Sequence, residues 1–241
     1  MLMIGSLVVL GCEGTSVPSS TKTVAMESRV RWEESELIVC WESEADDLPD
    51  FKAKVKQNTD ANFNRTVIHL TGWEACSVTD DPDIRVFIYD SPAAVQGPLL
   101  ALRNQLKSEG QSGGHPRARA RGNNLHGMKA GLVLTSKFTD VDHGLMAQAE
   151  AFNSTGKANL ILGIALHEMG HAIGLRHEDA HPGRTCDTFE EPLGNDEAVT
   201  KYNFNSVMSR CFYRNFDYDQ GTLAFNKGDV KGIAKAYKHL R

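Results

Sequence analysis

The chain has 241 residues, 24% of them charged and 41% hydrophobic, with a formal net charge of -5. That length suits a single catalytic-size domain with a sizeable core. There is no basic excess, so nucleic acid is not an expected partner.

Met1 to Cys12 is a short apolar run. It is too short to cross a bilayer and fits the hydrophobic core of a secretory signal. Its end, Val9-Leu10-Gly11-Cys12, resembles a bacterial lipobox, in which the cysteine is lipidated, although no Lys or Arg precedes the run. The expected location is therefore the bacterial cell envelope, anchored by a lipid on Cys12, with plain secretion as the alternative. That lipid is the one membrane contact expected. Residues 13–28, rich in Ser, Thr and Val, read as a flexible tether.

Leu37 to Trp41 and Thr66 to Leu70 read as strands, with a helix from Asp47 to Asn58 between them that carries Leu48, Phe51 and Val55 at helical spacing. Asp83 to Tyr89 alternates as a strand. Ala93 to Leu106 reads as a second helix, with Gly97-Pro98 near its start or interrupting it. The basic cluster from His115 to Arg121 lies among glycines and serines and reads as a solvated loop. Lys129 to Thr135 is a further strand. The acidic residues Asp140, Asp142 and those from Asp187 to Asp196 offer oxygen ligands for calcium but carry no loop signature, so solvated turns are expected.

Leu160 to Ile173 is apolar on nearly every side, which marks a buried helix. It is interrupted chiefly by His167, Glu168 and His171, and buried polar groups of this kind need a compensating partner. The stretch His167 to His177 spells H-E-x-x-H-x-x-G-x-x-H. Histidines four residues apart lie on one helical face and can point at one metal ion. Zinc suits imidazole nitrogen, and a catalytic zinc takes three protein ligands and leaves one position open for water. Glu168 follows the first ligand and lies beside the metal, where a carboxylate can hold the water and take its proton. Gly174 lets the chain turn back in the left-handed conformation, so that His177 approaches from outside the helix. Zn2+ is the expected cofactor, with His167, His171 and His177 as ligands and Glu168 as general base.

This motif resembles the signature of the metzincins, a superfamily of zinc endopeptidases. Asn159 to His177 is similar to the matrixin active helix, and Asp229 to Tyr237 to that family's closing helix D-x-x-G-I-x-x-L-Y. The core also resembles the bacterial HEIGH-type metallopeptidases, and Glu178 after the third histidine is similar to astacins. The resemblance implies an α+β fold: a twisted mixed sheet with a backing helix and an active-site helix, then a smaller irregular C-terminal subdomain ending in a helix. It implies that Met208, in Asn205-Ser206-Val207-Met208-Ser209, forms an apolar floor beneath the histidines. It places Asp83 to Tyr89 in the main sheet and Lys129 to Thr135 at the sheet edge above the cleft, where a peptide can add as a strand. Astacins carry a tyrosine two residues after the turn methionine; here Arg210 stands there and Tyr213 is the nearest tyrosine, so which of them assists the transition state stays open. No P-R-C-G-x-P-D cysteine switch occurs in the sequence, so latency of that type is not implied.

With Cys12 set aside, Cys40, Cys76, Cys186 and Cys211 allow three pairings. Cys40–Cys76 and Cys186–Cys211 are favoured, the second holding Met208 near the metal; four buried thiols are the alternative. The catalytic domain is expected over residues 29–241, divided near residue 174 into an N-terminal subdomain and a C-terminal one over 175–241. The expected activity is hydrolysis of internal peptide bonds in protein or peptide substrates. The rival is a non-catalytic, zinc-stabilised surface binding lipoprotein. Nothing in the sequence sets an oligomeric state.

Overall fold

In the computed structural model, residues 25–26, 32–42, 48–89, 130–135, 152–178, 197–199, 201–209, 212 and 215–241 are described. The elements in chain order are β1 (Ala25–Met26), β2 (Glu36–Trp41), α1 (Pro49–Phe63), β3 (His69–Ala75), β4 (Ile84–Tyr89), β5 (Ala130–Thr135), α2 (Ser154–Ala172), β6 (Glu197–Ala198) and α3 (Lys227–Ala236), with a 3-10 turn at Lys238–Leu240. Four strands form one sheet in the order β3-β2-β4-β5. All three of its pairings are parallel. The antiparallel part expected of a mixed sheet appears, among the described residues, only in the separate pair β1–β6. That pair also takes Ala25–Met26 out of the expected tether and joins them to the C-terminal half.

β2 buries Leu37, Val39 and Trp41 on one face, and Cys40, on the other, is buried as well. α1 starts with Pro49 at its first turn, where a missing N–H costs nothing. It runs on to Phe63, past the expected Asn58, because Phe63 is fully buried against Phe225 with ring centroids 5.2 Å apart. β3 begins later than the β-branched run Thr66-Val67-Ile68 suggested. The Thr66 hydroxyl bonds the carbonyl of Phe63 at 2.9 Å and accepts from the Ile68 amide at 3.1 Å, which holds those residues in a turn.

Pairing between β2 and β3 slips at Val39/Cys40, leaving Trp73 as the extra residue. Gly72 and Trp73 both have positive φ, 81° and 70°. A side chain on Gly72 would meet the Val39 carbonyl oxygen at 2.7 Å, so only glycine fits. The bulge sets the Trp73 ring 5.1 Å from that of Trp41, with its N–H on Asp60 at 3.1 Å. Just beyond it, Cys40 and Cys76 form a disulfide, with Cα atoms 4.9 Å apart. The pairing favoured from the sequence is thus present. Cys186, Cys211, Arg210, Tyr213 and Cys12 lie outside the described residues, as do the expected helix over Ala93 to Leu106 and the acidic stretches.

α2 packs against α1 and β5. Its N-cap is Asn153, whose side chain accepts from the Gly156 amide at 2.9 Å. Glycines recur every seventh residue on this helix, at 156, 163 and 170, and so share one face. Asp219 lies against the first, Tyr218 and Leu223 against the second and Met208 against the third. The C-terminal segment therefore lies close along the active helix, beside the face that carries the histidines.

Candidate metal centre

His167 and His171 project from the last two turns of α2, and Gly174 then turns the chain with a φ of 82°. Leu175 N donates to Gly170 O at 3.0 Å and Gly174 N to His171 O at 2.8 Å. This is the paired hydrogen-bond pattern of a Schellman stop, with Gly174 in the left-handed position. His177 is held from the far side as well, because Glu178 N donates to Met208 O at 3.1 Å. Glu178 itself is buried, and its carboxylate accepts from the Asn203 amide at 3.2 Å.

The three histidines converge as the spacing predicts. His177 Nε2 lies 3.1 Å from His167 Nε2 and 3.1 Å from His171 Nε2. All three rings are buried. The other nitrogen of two rings is committed: His167 Nδ1 donates to Val207 O at 2.8 Å and His171 Nδ1 donates to Leu175 O at 2.7 Å. A carbonyl only accepts, so each Nδ1 carries a proton, and in the neutral ring Nε2 keeps its lone pair for the centre of the cluster. Lone pairs gathered this closely repel unless a cation lies between them. Zn–N bonds of about 2.0–2.1 Å at tetrahedral angles put ligand nitrogens about 3.3 Å apart, close to the observed spacing. The donor set and its outer hydrogen bonds fit one zinc ion. Glu168, next to His167 on α2, is half-buried.

Beneath the helix, Met208 is buried, and its Sδ lies 2.6 Å from where a side chain on Gly170 would begin. The turn that carries it is fastened to α3. Ser206 Oγ donates to Asp229 Oδ1 at 2.6 Å, and the Asn226 amide donates to Asp229 Oδ2 at 2.9 Å. Met208 N donates in turn to Ser206 Oγ at 3.0 Å. Burial raises the pKa of the Asp229 carboxyl above 3.8, against the lowering effects of Ser206, the Asn226 and Val207 amides and Arg65. Sequence reasoning assigned no role to Asp229, Ser206 or the Val207 and Leu175 carbonyls. Asp229 had a signal: it stands three residues after Asn226, and the two form a capping box. Backbone carbonyls leave no such mark in a sequence. Arg210 and Tyr213 lie outside the described residues.

No protein-family model matches the chain, and no curated protein matches it. Among solved structures, the chain is similar to myroilysin, at 15% identity over 88% of this chain and 98% of that one, with a TM-score of 0.47. It is similar to high choriolytic enzyme 1, a hatching-enzyme zinc protease of the medaka fish Oryzias latipes, at 15% identity over 89% and 98%, with a TM-score of 0.48. It is also similar to archaemetzincin from Methanopyrus kandleri, at 16% identity over 85% and 96%, with a TM-score of 0.37.

Proposed function

We propose that this chain is a zinc-dependent endopeptidase of the metzincin type that hydrolyses internal peptide bonds of protein substrates. The observation that carries the reading is the convergence of the His167 and His171 Nε2 atoms, each 3.1 Å from His177 Nε2, beside a helix-borne glutamate, two of the rings having Nδ1 tied to a carbonyl. Zinc, when bound, supplies Lewis acidity, polarising the scissile carbonyl and bringing the pKa of water down to about 7.

The chain's own residues do the rest. His167, His171 and His177 hold the ion, Gly174 swings the third of them into place, and Met208 forms the apolar floor. Glu168 takes a proton from the attacking water as it adds to the carbonyl carbon, then delivers it to the departing amine nitrogen as the C–N bond breaks. Tyr213 or Arg210 steadies the oxyanion. An extended substrate pairs with β5, which is an edge strand among the described residues. The catalytic unit spans residues 29–241, and export to an oxidising compartment agrees with the Cys40–Cys76 disulfide. A lipid on Cys12 holds the protein at the cell envelope.

Peptide-library digestion read by mass spectrometry, with and without chelator, tests this reading, with zinc content measured alongside. Glu168→Gln is expected to retain zinc while cleavage falls by about 10²- to 10⁴-fold, the usual contribution of a general base. Bound zinc without any cleavage by the wild type would favour the non-catalytic binding module. A wild type that binds no zinc would remove the basis of the proposal.

A further inference from the structure

An α-helix leaves its last four carbonyls without partners inside the helix. In α2 these belong to Gly170, His171, Ala172 and Ile173, and all four are engaged. Backbone amides of the following turn serve the first two. Side chains from the two ends of the described chain serve the others. Trp32 Nε1 donates to Ala172 O at 3.0 Å, across 140 residues of sequence. Tyr237 Oη donates to Ile173 O at 2.6 Å.

Both rings are fully buried, so no bulk water competes for these carbonyls. His239 stands beside both donors. His239 Nε2 donates to Trp32 O at 2.9 Å, and the His239 ring lies 5.8 Å from that of Tyr237. The end of the active helix is thus closed by a buried indole and phenol at the point where the chain leaves the helix for His177. Ala172 and Ile173 are the hinge of that departure: His171 precedes them, and Gly174, with its φ of 82°, follows.

We propose that Trp32 and Tyr237 are positioning residues of the metal centre. They fix the end of α2, and so set where His177 stands relative to His167 and His171. Trp32, in the segment before β2, is on this reading a working part of the site. The inference rests on the zinc site proposed above.

Trp32→Phe and Tyr237→Phe each delete one donor and keep a ring in place. Trp73→Phe is the control: it deletes an indole N–H bonded to Asp60 at 3.1 Å on β3. Zinc affinity is read by competition with a chromogenic chelator, well below the apo unfolding midpoint of each protein, and those midpoints are recorded separately. Trp32→Phe and Tyr237→Phe are each expected to weaken zinc binding about tenfold, the lower end of what outer partners of metal ligands contribute. Trp73→Phe is expected to lower the midpoint and leave zinc affinity within about twofold of wild type. If one of the two test variants does not fold, the other carries the test. Zinc affinities within about twofold of wild type in the folded test variants would overturn the positioning role, however far their midpoints fall. A wild type that binds no zinc would instead overturn the metal-site reading itself.

Discussion

Asp229 is the buried acid on which the turn beneath the metal centre depends, since it accepts from Ser206 and Asn226 while the Val207 carbonyl engages His167. Its carboxyl is raised above 3.8 by burial, so the folded state binds the proton more tightly than the unfolded chain does. The stability contributed this way is fully present below the unfolded pKa and is lost as pH rises through the folded one. Asp229→Asn does not titrate, so subtracting its unfolding free energy from that of the wild type isolates the carboxyl. In metal-free protein the difference is expected to shrink as pH rises from about 4 to about 7, followed by urea unfolding. A difference that stays flat or grows with pH would show that burial does not govern this group. The ligands themselves were readable from sequence because imidazoles at i, i+4 and i+10 are discrete and rare. The parts that orient them were harder to see: two are backbone carbonyls, and Asp229 was marked by its closing-helix motif and capping-box spacing but not by its link to the turn at Ser206.

The active helix shows what an all-apolar pattern conceals. Its burial was evident from composition, but the purpose of the glycines at 156, 163 and 170 emerges only when the C-terminal segment is seen against their shared face. Where Met208 presses on Gly170, two effects of opposite sign compete. Alanine at 170 improves helix propensity by about 1 kcal/mol, but a methyl 2.6 Å from Met208 Sδ overpacks the contact at about 1–3 kcal/mol. Gly170→Ala alone is therefore expected to destabilise. Met208→Ala alone should cost about 2–5 kcal/mol by opening a cavity. In the Met208→Ala background the clash is gone and the new methyl fills part of the space, so the same Gly170→Ala change should become neutral or stabilising. Urea unfolding of the four proteins closes the cycle, and an equal cost of Gly170→Ala in both backgrounds would mean that the two side chains are not in contact. Elsewhere, strand and helix ends went astray where one side chain overrode its local pattern, as Thr66 did in delaying β3.

Two devices tie distant parts of the described chain together. The Cys40–Cys76 bridge links β2 to the end of β3, at the sheet edge farthest from β5. The histidines gather the end of α2 and the segment after it, with the turn at 206–208 held against them. The bridge was readable because each cysteine stood at or just beyond a recognisable strand. The all-parallel order of the described sheet was not, since pairing depends on how long crossovers return and carries no local residue signal. A loop closed over 36 residues contributes about 3–4 kcal/mol through the unfolded chain. Zinc at about a thousandfold above its dissociation constant adds about 4 kcal/mol by mass action. The disulfide acts through the unfolded chain and the ion through the native site, so the two contributions should add. The Cys40→Ala, Cys76→Ala double variant is expected to lose about 2–4 kcal/mol, and chelation should then lower the stability of wild type and variant alike to within about 0.5 kcal/mol. A chelation effect that collapses in the disulfide-free protein would instead mean that the β2–β3 edge and the metal centre fold as one coupled unit, with the disulfide a condition for the site's geometry.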